Sequence, residues 1–234
     1  MNQLAALAKV SPGTVRQWLA DSARVPHPSA RSKVSHHLGV SEEMLWPRES
    51  SIVKTGADRE MVMSYPFRSL CPTSVWAKLI TGAKKDIIFA GYTNYFLFTQ
   101  QAAFDRTLKE LSARGVRVRF LMGDPEGRVT REREDIEETA LTVSSRIRIT
   151  LENLARMGDL PGLEARFSAP EDATNHVGLS VFRMDDDALV TPHLARVVGH
   201  DSPMMHFRRR GEHGMFDRFA EHAEELWERG QPVA

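Results

Sequence analysis

Two regions of the 234-residue chain differ in how apolar and polar residues alternate. Residues 1–50 hold short helical segments divided by Pro, Gly and Ser, among them "NQLAALAKV" and "SPGTVRQWLA", in which Ser11 precedes Pro12 as an N-cap. A further segment, "SEEMLWP", ends at Pro47. This pattern predicts a small all-α domain over residues 1–50, followed by a linker without strong periodicity over residues 51–63.

From residue 64 to residue 234, helical and strand patterns alternate. "VWAKLITGAKK" is helical, and "DIIFAGY" is a continuous apolar run of strand length. "FTQQAAFDRTLKELSARG" predicts one helix that stops at Gly115, and "VRVRFLMGDP" predicts the next strand. Because a strand-helix-strand unit makes its two strands parallel, the pattern predicts a larger α/β domain, and the later strands make its sheet mixed.

The remaining patterns complete this domain. "SSRIRITLENLARMG" fits a strand or a helix, and we favour a helix capped by Ser144 because Ile147, Leu151 and Leu154 recur at helical spacing. "GLEARFS" and "PMMHFRR" predict strands, and "VGLSVFRMDDDALVTP" predicts two strands joined by a tight acidic turn. "TREREDIEE" predicts a solvated helix because its charges alternate, and "GMFDRFAEHAEELWERG" predicts a closing amphipathic helix.

Bulk composition narrows the functional classes. The formal net charge is zero, so any contact with nucleic acid must come from a local patch. Cys71 is the single cysteine, which excludes an internal disulfide and a cysteine-rich zinc site and fits a reducing cytoplasm. No apolar run approaches the ~20 residues that span a bilayer. We therefore expect a cytoplasmic protein with no membrane partner, no metal and no cofactor.

The segment "LAALAKVSPGTVRQWL" has the pattern of a DNA-reading helix pair. Ala5 and Ala6 are small enough for two helices to cross closely, and Val15, Trp18 and Leu19 are expected to point inward. The segment resembles the helix-turn-helix of Cro-repressor-like (XRE-type) bacterial regulators, which bind double-stranded DNA. A helical oligomerisation or docking module is the alternative. The resemblance implies contacts with bases from Thr14, Arg16 and Gln17, and with phosphates from Gln3, Lys9 and Ser11.

The larger region resembles a single half of the phospholipase D-like fold, on "GAKKDIIFAGY", "LKELSARGVRVRFLMGD", the acidic hairpin and "ELWE". That family builds its site around H-x-K-x4-D. Counted back from Asp185, Gly178 occupies the histidine position and Ser180 the lysine position. The family's histidine attacks phosphorus and its lysine neutralises charge, so the resemblance implies the fold without that chemistry. We therefore predict that the chain is not an enzyme.

The layout of the whole chain resembles regulators of high-GC bacteria that join this helix-turn-helix to a C-terminal domain with "GYTNYF", "GDP", "VTPHLA" and "GHDSP". This resemblance implies transcriptional regulation. Single-half members of the phospholipase D-like fold usually pair through a two-fold axis, and one helix-turn-helix gives little specificity. A homodimer is the resulting prediction.

Ligands of parallel-sheet domains usually lie beyond the carboxyl ends of the strands. "GYTNYF" and "GDPEG" each follow a predicted strand, although ordinary turn chemistry also explains Asn94 and Asp124. "PHLARVVGHDSPMMHFRRRGEH" supplies histidines without the spacing of a metal motif, and an arginine run that can hold phosphate. We predict that a small effector, phosphorylated or nucleotide-like, is bound by Tyr92, Thr93, Asn94, Tyr95, Asp124, Ser180, His193, His200, His206 and Arg208.

Two other functions stay open at this point. One is a hydrolase or transferase acting on phosphate esters through His193, His200 or His206. The other is an adaptor whose larger domain binds a protein rather than a metabolite.

Overall fold

The computed structural model describes residues 2–20, 26–40, 45 and 60–233. The chain divides into two compact units, Met1–Thr55 and Gly56–Ala234. Within the described residues the smaller unit is all-α and the larger is α/β with a mixed sheet, so the predicted fold class is confirmed. Apart from Leu45, the segment "SEEMLWP" lies outside the described residues, as does most of the predicted linker.

The smaller unit contains helices α1 (Asn2–Ala8), α2 (Pro12–Ala20) and α3 (Pro28–Leu38). The Ser11 hydroxyl accepts a hydrogen bond from the Thr14 amide at 3.1 Å, which starts α2 as the sequence predicted. Val15 is fully buried and Trp18 packs on the small core, but Leu19 is 73% exposed. The prediction that Leu19 points inward is wrong, because it lies in the last turn of α2 and outside the buried cluster.

The larger unit is built on an eight-stranded sheet of order β1-β7-β6-β5-β2-β3-β4-β8. Strands β2, β3 and β4 are parallel, as the strand-helix-strand pattern predicted, and the other neighbours pair antiparallel. The strands are β1 (Met61–Tyr65), β2 (Asp86–Ala90), β3 (Arg117–Met122), β4 (Leu163–Phe167), β5 (Leu179–Met184), β6 (Asp187–Pro192), β7 (Met204–Arg208) and β8 (Gln231–Pro232).

Helices cover both faces of this sheet. Ile87 and Phe89 of β2 belong to the core on one face, whereas Ile88 and Ala90 pack on the other face with the closing helix. A short 3-10 helix, Arg68–Leu70, follows β1. The α-helices of this unit are α4 (Thr73–Gly82), α5 (Tyr95–Gln100), α6 (Phe104–Ala113), α7 (Arg128–Glu137), α8 (Val143–Met157), α9 (Ala173–Gly178) and α10 (Met215–Arg229).

Three local predictions need correction. The helix predicted over "FTQQAAFDRTLKELSARG" is broken into α5 and α6, because Ala103 adopts a left-handed conformation with φ of 50°. Strand β1 begins at Met61, inside the predicted linker, where it gains backbone pairing with β7. Helix α8 is capped by Thr142 instead of Ser144, because the Thr142 hydroxyl accepts the Ser145 amide at 3.3 Å.

A buried ion network joins α10 to the sheet. Arg119 of β3 is 1% exposed and donates to Asp86 of β2 at 2.7 Å and to Glu224 of α10 at 2.6 Å. Arg183 of β5 donates to the same two carboxylates. Burial alone would raise the pKa of Asp86, but the hydrogen bond and charge of Arg119 hold that pKa below its usual value. Because Arg183 bonds to Glu224 of α10, its side chain lies on the α10 face of the sheet, and Ser180 lies on the opposite face.

The hairpin turn is held by its own first carboxylate. Asp185 adopts φ of 50°, and its side chain accepts backbone N–H groups from Lys84 at 2.7 Å and from Lys85 and Asp86 at 3.0 Å. These three donors begin strand β2. Asp185 thus fixes the junction between α4 and β2.

Candidate anion-binding site

A small cavity lies at the carboxyl end of β2, where the loop "GYTN" leaves the sheet. Its volume is about 40 Å³, enough for roughly three water molecules or one compact group. Helices α7 and α8, the 3-10 helix and the ends of β5 and β6 complete its wall. We call it the inner cavity, and its polar lining residues are Arg68, Tyr92, Thr93, Asn94, Arg133, Glu137, Arg146, Ser180 and His193.

Ser180 and His193 form the neutral part of this lining. The register of β5 and β6 pairs Leu179 with Pro192, which brings the residues on either side of that pair together. The Ser180 hydroxyl and His193 Nε2 are 2.8 Å apart. Burial and then the charges of Arg68, Arg133 and Arg146 lower the pKa of His193 to about 4, so its imidazole is neutral at physiological pH.

Arg68 is the least neutralised cation of the inner cavity. Its backbone N–H donates to the carbonyl of Ser202 at 2.8 Å, which fixes the 3-10 helix, and its guanidinium lies 4.2 Å from the centre of the Phe96 ring. Within the described parts of the chain, no carboxylate forms an ion pair with Arg68. Burial and then the charge of Arg146 lower the pKa of Arg68 to about 10.

Glu137 orients the other two arginines. It accepts Arg133 Nε at 2.9 Å and also accepts a hydrogen bond from Arg146. Arg133 is 8% exposed and donates to the carbonyl of Val197 at 2.7 Å. Three guanidinium groups against one carboxylate leave two positive charges around the inner cavity, taken over the residues that line it. A buried surplus of this kind is costly unless an anion balances it.

Asn94 holds the loop at the end of β2 and leaves one acceptor unused. Its amide nitrogen donates to the carbonyls of Phe89 at 3.1 Å and Leu121 at 3.0 Å, which ties the ends of β2 and β3 together. Its Oδ1 is buried and has no hydrogen-bond partner among the described residues. Gly91 is required beside it, because a Cβ at Gly91 would lie 2.5 Å from that oxygen and 2.7 Å from Phe182.

A second, more open depression adjoins the inner cavity. Its volume is about 210 Å³, and it shares Arg68, Thr93, Phe96 and Arg146 with the inner cavity. We call it the outer groove. Its remaining lining residues are Tyr95, Gln100, Thr139, Leu141, Val198 and His200.

Several residues predicted to bind the effector come together here. Tyr92, Thr93, Asn94, Ser180 and His193 line the inner cavity, and Tyr95 and His200 line the outer groove. The Tyr92 hydroxyl is 3.0 Å from the hydroxyl of Thr130, which itself donates to a backbone carbonyl, so Tyr92 is the donor of that pair.

Three predicted residues lie elsewhere. Asp124 is exposed and accepts the amide of Glu126 at 2.9 Å, which is ordinary turn chemistry. His206 and Arg208 lie on β7, where both contact Asp187, at 2.6 Å and 3.0 Å. Neither residue lines the inner cavity or the outer groove.

The sequence patterns missed the charged residues of the site. The prediction that "TREREDIEE" is a solvated helix is wrong on one side of α7, where Thr130 and Arg133 are buried. Val129 is buried one turn before Arg133, and this apolar residue was the available sign of an inward face. Arg68 lies in a turn without periodicity, and no pattern marked it.

The residues predicted to contact DNA lie on α1, α2 and the turn between them. Gln3, Lys9, Arg16 and Gln17 are exposed, and Thr14 is half-buried. Ser11 is exposed, but its hydroxyl is used in capping α2.

Two features are absent among the described residues. No group of three or more His, Cys, Asp or Glu side chains among them is placed to hold a metal ion. None of the helices in that part of the chain has both the length and the apolar character needed to cross a membrane.

No protein-family profile matches the chain. No curated protein matches it either. Among solved structures, it is similar to TrmBL2, an archaeal chromatin protein whose structure shows a novel mode of DNA binding, with 16% identity and a TM-score of 0.44. That match covers 94% of this chain and 66% of TrmBL2, so the chain spans slightly less than two thirds of that protein.

Two other similar structures are those of a phospholipase D family member and a phosphatidylserine synthase. Nuc, a phospholipase D family member from Salmonella typhimurium, matches with 14% identity and a TM-score of 0.42, over 68% of this chain and 89% of Nuc. Phosphatidylserine synthase from Haemophilus influenzae Rd KW20 matches with 12% identity and a TM-score of 0.44, over 94% of this chain and 52% of the synthase.

These neighbours overturn the prediction that the chain is not an enzyme, because they include a phospholipase D family member and a phosphatidylserine synthase. The similar structures thus include a DNA-binding chromatin protein and a phospholipase D family member. The finer resemblance, to XRE-type regulators of high-GC bacteria, stays a prediction.

Proposed function

We propose that the chain is a cytoplasmic, DNA-binding transcriptional regulator of the XRE type, whose larger unit binds a small anionic effector and forms a homodimer. One observation carries this proposal: the inner cavity is lined by three guanidinium groups and one carboxylate, and it is not filled by its own side chains. A cavity of that charge favours an anion, and binding of an effector can change DNA affinity only as far as it favours one conformation of the protein.

The smaller unit supports the DNA-binding part of the proposal. Helices α1 and α2 are joined by a short turn, and Arg16 and Gln17 lie exposed on α2. Side chains of these types bind guanine and adenine edges in the major groove. A homodimer is proposed because two such helices, held by a two-fold axis, read a site that one helix cannot specify.

The test is a band shift with the DNA upstream of the gene, at two salt concentrations and with a panel of anionic metabolites. Arg16→Ala should weaken binding to specific DNA by about 1–3 kcal/mol, and Lys33→Ala on the exposed face of α3 should change it far less. At least one anion should alter the wild-type affinity. A protein that gives no specific shift under any of these conditions is not a regulator of this kind.

A second candidate function is phosphoester hydrolysis in the same cavity, and the 2.8 Å contact between Ser180 and His193 favours it. A neutral His193 Nε2 can accept the hydroxyl proton while Ser180 Oγ forms a bond to phosphorus. The bond from phosphorus to the ester oxygen then breaks, and the imidazolium returns the proton to the leaving alcohol. Attack of water on the phosphoserine, with His193 again as base, releases phosphate and regenerates Ser180.

A panel of phosphomonoesters and phosphodiesters tests this second function. Turnover that is lost in both Ser180→Ala and His193→Ala, and kept in His206→Ala, would establish it, since His206 lies on β7 and lines neither the inner cavity nor the outer groove. Turnover that survives the Ser180 and His193 substitutions would come from a contaminant or from another site.

A further inference from the structure

We infer that the effector is a phosphate monoester in its dianionic form, with its phosphate in the inner cavity and its organic group in the outer groove. This inference rests on the proposed function, because it specifies the ligand of the same site. Four properties of the inner cavity and the outer groove lead to the inference of a phosphate monoester. They are the charge, the volumes, the free hydrogen-bonding groups and the residues that the cavity and the groove share.

The charge of the inner cavity matches a dianion. Arg68, Arg133 and Arg146 exceed Glu137 by two positive charges when His193 is neutral. A phosphate monoester carries a charge between −1.5 and −2 near pH 7, because its second pKa is about 6. A phosphodiester or a carboxylate carries a single negative charge and would leave part of the surplus unbalanced. Neutral sugars and nucleosides would leave the whole positive charge of the inner cavity unbalanced.

The inner cavity and the outer groove differ in volume, so they would hold different parts of the ligand. The inner cavity, with a volume of about 40 Å³, is the smaller of the two and suits a compact group. About 210 Å³ in the outer groove accommodates a larger organic substituent, against Tyr95, Leu141 and Val198.

The hydrogen-bonding groups suit phosphate oxygens. Arg68 has no carboxylate partner among the described residues, so its planar fork of N–H donors is available for a bidentate contact. Glu137 already orients Arg133 and Arg146 before any ligand enters. When the proton of His193 is on Nε2, this nitrogen donates to the Ser180 oxygen, and the serine proton is free to reach phosphate.

Two arginines lie where the inner cavity and the outer groove meet. Arg68 and Arg146 line both the inner cavity and the outer groove, together with Thr93 and Phe96. An ester oxygen at this boundary would have its phosphate on one side of these guanidinium groups and its carbon substituent on the other.

The test is isothermal titration calorimetry on the full-length protein at pH 7.5. The probes are inorganic phosphate, glucose 6-phosphate and AMP, with glycerophosphocholine as the phosphodiester. We expect at least one monoester to bind more tightly than inorganic phosphate and at least tenfold more tightly than the diester. Absence of monoester binding, or equal affinity for the diester, would overturn the inference.

Matched variants connect binding to the cavity. Arg68→Met should weaken monoester binding by about 10- to 100-fold, and Arg68→Lys should restore part of the loss. Arg148→Met is the control, because Arg148 lies on α8 close to Arg146 but is exposed and pairs with Glu126. Equal losses in Arg68→Met and Arg148→Met would refute the assignment. Comparison of Arg68→Met with the wild type by circular dichroism separates loss of binding from loss of fold.

The same proteins distinguish this inference from the proposed function. If monoesters bind through Arg68 but no ligand changes DNA affinity, the ligand class stands and the regulatory role fails. If DNA affinity responds only to an anion of another class, the regulatory role stands and the inference fails.

Discussion

At the scale of single residues, burial and then the charge around the inner cavity keep His193 neutral. Its pKa lies at about 4, against an ordinary value of 6.5, because the ring is buried and three arginines are near it. Among these charges, that of Arg68 has the largest effect on the pKa of His193. Removal of Arg68 should therefore raise that pKa. The same cation makes the cavity attractive to an anion.

We expect Arg68→Met to raise the pKa of His193 measurably towards 6.5, because one repelling charge is removed. The measurement is a titration of the imidazole resonances by NMR spectroscopy. Arg148→Met should leave that pKa unchanged. An unaltered His193 in Arg68→Met would mean that burial alone holds the imidazole neutral.

Part of the site follows from sequence at this scale and part does not. Thr93 and Ser180 were predicted because residues after parallel strands, and at the position of a known catalytic group, share one edge of the sheet. Arg68, Arg133 and Arg146 come from three separate elements. Whether an arginine of an amphipathic helix points inward depends on how the helix is rotated against the sheet, and the local pattern does not determine that rotation.

At the scale of elements, one carboxylate fixes the start of β2. We expect Asp185→Ala to destabilise the larger unit by roughly 1–3 kcal/mol, because three backbone N–H groups lose their acceptor and alanine disfavours positive φ. Urea unfolding measures the change. Asp186→Ala, at the exposed neighbouring position, should stay within about 0.5 kcal/mol of the wild type. Equal effects of the two substitutions would contradict the capping role.

The ion network under α10 gives a second prediction at this scale. Arg119→Met should cost about 3–5 kcal/mol, because it leaves Asp86 and Glu224 partly buried with less compensation. Arg117→Met should cost about 0–1 kcal/mol, since the Arg117 side chain is 54% exposed where it pairs with Asp86. Chemical denaturation of both variants compares them, and similar losses would show that Arg119 acts as a surface charge.

The order of helices and strands was largely predictable, since periods of about two and 3.6 residues are visible in the sequence. Two features of these helices and strands were not predictable. Ala103 breaks a helix in the left-handed region, where glycine or asparagine usually marks the position. The pattern of β3 did not indicate that Arg119 is buried, because α10 covers it, and burial by a helix distant in the sequence leaves no mark in the strand itself.

At the scale of the whole molecule, two buried imidazoles link stability to pH. His176 on α9 is fully buried, its Nδ1 lies 2.7 Å from the Ser168 hydroxyl, and burial followed by the charge of His193 lowers its pKa to about 3. His193 has a pKa of about 4. Both values are depressed, so the unfolded chain binds protons more readily than the folded chain between about pH 6.5 and pH 4.

Stability should therefore be fully present above pH 6.5 and should fall as the pH decreases towards 4. Melting temperatures measured from pH 7.5 to pH 4.5 check this expectation. His193→Gln should flatten part of the dependence, and His200→Gln, at an exposed position, should not. A wild-type protein that keeps the same melting temperature over this interval would rule out two neutral buried imidazoles.

The position of Arg68 in the chain has a consequence for signalling. It lies three residues after β1, an edge strand of the sheet, which among the described strands pairs with β7 alone. The same strand is the first element after the boundary between the two units. Under the proposed function, occupancy of the cavity would thus act first on the part of the chain that leads from the smaller unit into the larger one. Substitutions in Met61–Tyr65 should then separate effector recognition from operator response while each activity persists alone.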